Sequence, residues 1–276
     1  MKKRLIIGAI VLFAVAVLIV LIKKSGNDRD RDVIVASGNV EVTEVNVAFK
    51  IPGRVVELFT DEGRTVARGD RLASLDNAEY SDQVAQNRAN LRNAEAQLEK
   101  AQKDLERYEP LYKQHAISAQ QLDSARAGYA VALAQSHQAS AALRVVQSRL
   151  NDTVIFAPAA GVILRKNVEA GETVQAGVPI FTIGDLADPW IKVYIKEDKL
   201  GLVKLGQKAS ITTDSFPGKV YEGSVTYISS EAEFTPKNVQ TKEERVKLVF
   251  GVKVSVRNEQ NELKPGMPAD VRINLK

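Results

Sequence analysis

Residues 77–153 read NAEYSDQVAQNRANLRNAEAQLEKAQKDLERYEPLYKQHAISAQQLDSARAGYAVALAQSHQASAALRVVQSRLNDT, and the rest of the chain is organised around this stretch. In its first arm Val84, Leu91, Leu98, Leu105 and Tyr112 stand seven apart, with Asn87, Ala94, Ala101 and Tyr108 three residues after the first four. In its second arm Leu122, Tyr129, Ser136, Leu143 and Leu150 do the same, interleaved by Ala125, Ala132, Ala139 and Val146. A repeat of about 3.5 residues keeps one stripe of a helix facing a partner, so the pattern predicts an antiparallel coiled-coil hairpin with Leu98 buried in mid-seam. Gln114-His115-Ala116-Ile117-Ser118 is too short to do more than reverse direction. Ser118 with Gln121 fits a capping box, and Ile117 with Leu122 fits a hydrophobic staple. Arms of roughly 35 residues make a rod about 50 Å long.

The segments flanking the hairpin match each other. Before it stand Gly53-Arg54-Val55, Gly63-Arg64-Thr65-Val66 and Gly69-Asp70-Arg71-Leu72. After it stand Gly161-Val162-Ile163, Gly171-Glu172-Thr173-Val174 and Gly177-Val178-Pro179-Ile180. A shift of 108 residues superimposes all three glycines, and brings Val55 and Leu72 onto Ile163 and Ile180. Glycines at matched spacing in β-rich segments predict matched turns that need unusual backbone angles. One small β-domain is thus written as two halves, 45–76 and 154–186, with the hairpin 77–153 inserted between them.

This glycine pattern, given twice, resembles a biotinyl/lipoyl domain. Carrier versions of that domain hold a modifiable lysine where the first half ends; here that place reads Asp76-Asn77-Ala78-Glu79, without a lysine. A lipoyl-like domain split by a helical hairpin, behind an apolar N-terminus, is similar to the periplasmic adaptors, or membrane fusion proteins, of the HlyD family. After the second half, Asp188–Ile195 alternates as a half-buried strand does. Ala209–Thr213, Val220–Ile228, Val246–Val256 and Ala269–Leu275 are further strand candidates, so residues 187–276 predict a small antiparallel barrel. The family has a barrel at this place. Glu231–Thr241 resembles adaptors of the YbhG type, which accompany ABC exporters. Many relatives add a membrane-proximal β-domain, for which this chain leaves only Val33–Ala48.

At the N-terminus, Met1-Lys2-Lys3-Arg4 precedes an uncharged apolar run, Leu5–Ile22. Eighteen residues at 1.5 Å span about 27 Å, close to the bilayer core. A cleaved signal peptide is the competing reading, although its apolar core is usually shorter and Lys23-Lys24 follows where a small-residue site would stand. Residues 1–24 are therefore read as an inner-membrane anchor, and 25–44 as a tether with a first β segment. The expected localisation is the inner membrane, with the bulk of the chain in the periplasm. The fold class that results is mixed α and β, in several domains.

Chemistry finds little support. The chain has no cysteine, which excludes disulfides, thiol catalysis and Cys-ligated zinc. Its net charge is +4, with basic and acidic residues interspersed, so no basic face points to nucleic acid. His115 and His137 are the only histidines, and the hairpin holds them far apart. His115 fits a helix C-terminus and His137 a solvated surface. Glu99/Lys103 and Lys100/Asp104 fit surface ion pairs at four-residue spacing. No enzyme, cofactor or metal site is expected.

What the resemblance implies is an adaptor that joins an inner-membrane transporter, of the ABC class, to a TolC-like outer-membrane channel, as a ring that is commonly hexameric. Relatives that dock on such channels carry at the hairpin tip an Arg, a Leu four residues on and a Ser seven further; Arg107, Leu111 and Ser118 match that spacing. Each also has a plain structural reading: a solvated arginine, a core leucine of the last turn, a helix cap. The second arm holds only three charged residues between Ala119 and Gln147, which fits either helix propensity or lateral packing on a neighbouring subunit. Two other functions compete: an envelope scaffold that binds a different coiled coil, and a biotin- or lipoate-carrier subunit, against which the missing lysine speaks.

Overall fold

In the computed structural model, which describes residues 33–234 and 248–275, the two copies of the repeat are locked through each other. The first copy forms β2 (Gly53–Leu58), β3 (Thr65–Val66) and β4 (Arg71–Leu75), and the second forms β6 (Gly161–Lys166), β7 (Thr173–Val174) and the start of β8 (Pro179–Lys196). β2 pairs with β7, Gly53 opposite Val174, and β3 pairs with β6, Val66 opposite Gly161. The two pairings are the same pairing shifted by 108 residues. So are the hydrogen bonds. Gly63 N–H donates to Ile163 O at 2.9 Å, and Gly171 N–H donates to Val55 O at 2.8 Å. Ile163 N–H donates to Arg64 O at 2.9 Å, and Val55 N–H donates to Glu172 O at 2.8 Å. Neither half can satisfy these backbone groups alone.

The core repeats the same logic. Fourteen of its fifteen buried residues fall into pairs 108 apart: Val47/Ile155, Phe49/Ala157, Val55/Ile163, Val66/Val174, Leu72/Ile180, Ala73/Phe181 and Leu75/Ile183. No hairpin residue takes part. The matched glycines divide into two kinds. Gly63, Gly69, Gly171 and Gly177 have φ between +76° and +97°, the left-handed region that penalises a side chain. Gly53 and Gly161 instead open β2 and β6, and a Cβ on Gly53 would stand 3.0 Å from Leu75 Cδ1. Gly53 is thus set by strand packing, not by turn conformation.

Between β4 and β5 (Val154–Phe156) stand α1 (Ala78–Lys113) and α2 (Ala119–Asn151). The expected stripe is where both helices lose solvent: Val84, Leu122, Ala132 and Ser136 are buried, and most of the other stripe residues are half-buried. Leu98 is only half-buried, because two helices alone cannot enclose a side chain on all sides. Tyr112, last in the first stripe, is exposed.

Residues 33–44 and 184–275 make up a second compact unit around a separate core. Its strands are the first part of β1 (Val33–Ala48), the later part of β8, β9 (Lys208–Thr212), β10 (Tyr221–Phe234), β11 (Leu248–Val256) and β12 (Pro268–Asn274). They run in the order β1-β12-β9-β10-β11-β8, and β1 also pairs with β8, so the sheet closes. Along β8, Ile191, Val193 and Ile195 are buried while Trp190, Lys192 and Tyr194 between them are not, the alternation expected of a barrel strand. Val33–Asn39, the first β segment, is a barrel strand hydrogen-bonded to β12, and so is not available to build a further domain. The short helix α3 (Glu197–Leu200) follows β8. The run Leu5–Ile22, tether residues 25–32 and residues 235–241 of the YbhG-like segment lie outside the described residues. Among the described residues no helix is long and apolar enough to cross a membrane.

Two glycines make a stability test. A Cβ on Gly38 would sit 2.1 Å from Lys192 O, a backbone atom of the neighbouring strand, whereas Gly171 has a φ of +97° but open space around it. Gly171→Ala is expected to cost about 1–2 kcal/mol, the left-handed penalty of an L-residue. Gly38→Ala must push two strands apart, and about 3 kcal/mol or more is expected. Chemical denaturation of both variants checks the order. Equal losses would mean that β1 and β8 tolerate a wider spacing.

Candidate functional site

The hairpin springs from one point of the split β-domain. Leu75 N–H donates to Thr153 O at 2.8 Å, so the last residues before α1 and the first after α2 lie side by side. At this root Asp76 accepts from Arg54 Nη2 at 2.9 Å and from Ala78 N–H at 3.2 Å. The Arg54 hydrogen bond, and then that of Ala78, hold the Asp76 carboxyl below the usual carboxylate range. Tyr80 Oη donates to Pro52 O at 3.1 Å and fastens the first turn of α1 to the β-domain. The position at which carrier domains present a lysine is here the foot of a helix.

From the root, 36 residues of α1 carry the chain to the tip, about 54 Å at the ordinary helical rise. Pro110 removes one donor but does not end the helix, which runs on to Lys113. The turn then closes by two bonds that tie off the last carbonyls: His115 N–H to Tyr112 O and Ala116 N–H to Leu111 O, both 2.9 Å. That is a Schellman motif, and it places His115 at the left-handed position, φ 57°. Glycine would be the cheaper residue there. Ser118 restarts the chain as the N-cap of α2, its Oγ accepting from Gln121 N–H at 3.2 Å while Gln121 Oε1 accepts from Ser118 N–H at 2.9 Å. The capping box expected from the sequence is present.

Arg107, Leu111 and Ser118 all lie in this terminal region, and they differ in what holds them. The Arg107 side chain is 67% exposed and, among the described residues, reaches only its own helix, Nη1 to Asp104 Oδ1 at 3.4 Å. Leu111 is half-buried, and its carbonyl closes the turn. Ser118 is exposed although it is a cap. Of the two surface ion pairs expected on α1, Glu99–Lys103 forms, whereas Asp104 pairs with Arg107 one turn on rather than with Lys100. His115 and His137 are exposed, and among the described residues no three His, Asp or Glu side chains converge on a metal position. What the arrangement offers is a long polar arm with a rigid end.

Residues 43–185 match the model of the CzcB-like barrel-sandwich hybrid domain, and residues 189–276 that of the CusB-like β-barrel domain. The chain is 32% identical to a UPF0194 membrane protein from the asrC 5′ region of Acidithiobacillus ferridurans, over 86% of each chain. It is 30% identical to the UPF0194 membrane protein YbhG of Salmonella typhi, over 99% of this chain and 98% of that one. Among solved structures it is similar to MacA from Actinobacillus actinomycetemcomitans, with a TM-score of 0.73 at 24% identity, over 88% of this chain and 78% of the other. It is also similar to the membrane fusion protein Spr0693 of Streptococcus pneumoniae, with a TM-score of 0.69 at 21% identity, over 88% and 99%.

Proposed function

The chain belongs to the UPF0194, YbhG-like family of membrane fusion proteins, and from that premise we infer that it is the periplasmic adaptor of a tripartite exporter. In this reading Leu5–Ile22 anchors it in the inner membrane, and the β-units stand near an inner-membrane transporter of the ABC class. The hairpin reaches out to a TolC-like outer-membrane channel. The observation that carries the reading is the hairpin itself: an arm rooted at a single point, with no share in the domain core, ending in a rigid exposed tip. The arm adds no residue to the β-domain's buried core, and a partner at its far end would account for its length.

Assembly into a ring, hexameric in this reading, draws support from α2. Val131 and Val145 are more than half exposed, and they stand fourteen residues apart, two heptads along one helix face. On α1 no large apolar side chain is more than half exposed; the most exposed is Tyr112 at the tip, at 40%. Neighbouring hairpins packed side by side would cover that valine face, and would shield the half-buried seam.

The test separates docking from capping. Ser118→Asp keeps a good N-cap residue while it changes the surface, so α2 should remain as stable as before. Arg107→Glu alters an exposed side chain with no long-range partner among the described residues, and should also leave thermal stability within about 0.5 kcal/mol of the parent. Both are expected to lose copurification with the outer-membrane channel. Retained capture with either variant would refute docking through that residue. Loss of capture only in proportion to lost helicity would leave it a structural residue.

A further inference from the structure

One end of the barrel carries a loop that folding alone does not explain. It runs from the end of β8 to the start of β9, Lys196 to Lys208, and includes α3. Leu202 is 52% exposed and Leu205 is 67% exposed, while Val203 between them is 6% exposed and belongs to the barrel core. The exposure does not come from a loose chain. Leu202 N–H donates to Lys199 O and Val203 N–H to Leu200 O at 3.1 and 3.0 Å. Gln207 ties the turn shut, its Oε1 accepting from Lys204 N–H and its Nε2 donating to Leu202 O. Gly206 N–H donates to Val225 O at 2.8 Å. A well-bonded turn therefore holds two leucines out in water.

Charge surrounds them. Lys196, Lys199, Lys204 and Lys208 are all exposed; the only acids in the loop are Glu197 and Asp198, which leaves four minus two, a net +2. None of the four lysines has an ion-pair partner among the described residues. Leucines at a loop tip ringed by lysines are the composition of a segment that sits at a bilayer interface: the apolar tips enter the acyl boundary and the ammonium groups stay with the headgroups.

The covalent chain says which surface this end meets. Val33, the first residue of β1, is paired with Asn274, and the adjoining Ile273 is paired with Ala209 at the start of β9. The loop and the entry of the N-terminal segment therefore share one end of the barrel. Only ten residues, 23–32, separate Ile22 from Val33, a leash of at most about 35–40 Å when fully extended. We propose that the Lys196–Lys208 loop is a second membrane contact, in which Leu202 and Leu205 seat this end of the barrel on the anionic surface of the bilayer. This rests on the reading of Leu5–Ile22 as an anchor.

The chain lacks cysteine, so single labels can be placed on the full-length protein. Leu205→Cys, and Val131→Cys on α2 as a control, are labelled with nitrobenzoxadiazole. The labelled proteins are reconstituted into vesicles of phosphatidylcholine, with or without one third phosphatidylglycerol, containing a nitroxide-bearing lipid. Flotation reports the anchor separately from the loop. The expected result is that both proteins float, that only the label at position 205 is quenched by the lipid nitroxide, and that quenching falls in phosphatidylcholine alone. Adding Lys199→Glu and Lys204→Glu should bring it down to the level at position 131. A protein that floats with its 205 label as unquenched as the control overturns the proposal and makes a protein partner the occupant. Equal quenching in both lipids overturns the assignment to an anionic surface. Failure to float overturns the anchor, and the loop contact with it.

Discussion

Replacing Ala78–Asn151 by a four-residue Gly/Asn turn is expected to leave a folded β-domain and to abolish capture of the outer-membrane channel completely. The two ends that the turn must join are already held together by the Leu75–Thr153 hydrogen bond. No residue of the excised segment contributes to the buried core. Shortening the connection also lowers the loop-closure cost, since that cost rises with loop length. The shortened protein should thus keep a cooperative unfolding transition and the strand signal of the parent in circular dichroism. Channel capture should drop to background. An unfolded product would mean that the helices support the β-domain after all, and undiminished capture would place the docking surface elsewhere.

Ile163→Ala is expected to cost about 2–5 kcal/mol, the range for removing a large aliphatic side chain from a closed core. Ile163 is 1% exposed, and its 108-residue counterpart Val55 is 0% exposed. The informative part is where the damage appears. Because Ile163 exchanges backbone bonds with Gly63 and Arg64, amides of β2–β4 should lose hydrogen-exchange protection together with those of β6 and β7. The exposed Val145→Ala on α2 serves as the control, with an effect within about 0.5 kcal/mol expected in the monomer. Loss of protection confined to the second half would show that the halves fold independently, against the reciprocal pairing described above.

Much of this was legible in the sequence, for a physical reason. Heptad spacing is a property of one helix, so the stripes from Val84 to Tyr112 and from Leu122 to Leu150 could be read without knowing their partner. The capping box at Ser118 is likewise local, needing only Ser118 and Gln121. The duplicated glycines announced a split domain because a turn with positive φ constrains residue type at that position. Pairing is different, because it is a relation between distant segments. Nothing in the spacing said that Gly63 would bond Ile163 while Gly171 bonded Val55, nor that Gly53 would be small for the sake of Leu75. Nor did it say that Val33–Asn39 would close a barrel against β12, whose residues lie 229 to 241 positions further along the chain. The depth of the seam was equally out of reach: Leu98 fits the heptad, but how far it is buried depends on how many helices surround it. In the sequence the loop at Leu202 and Leu205 shows no more than the turn signals Gly201 and Gly206. Leucines there look like core residues until the fold turns Val203 inward and leaves its neighbours outside. Periodicity and capping lie within reach of the local chain; register, closure and exposure exist only once distant strands have met.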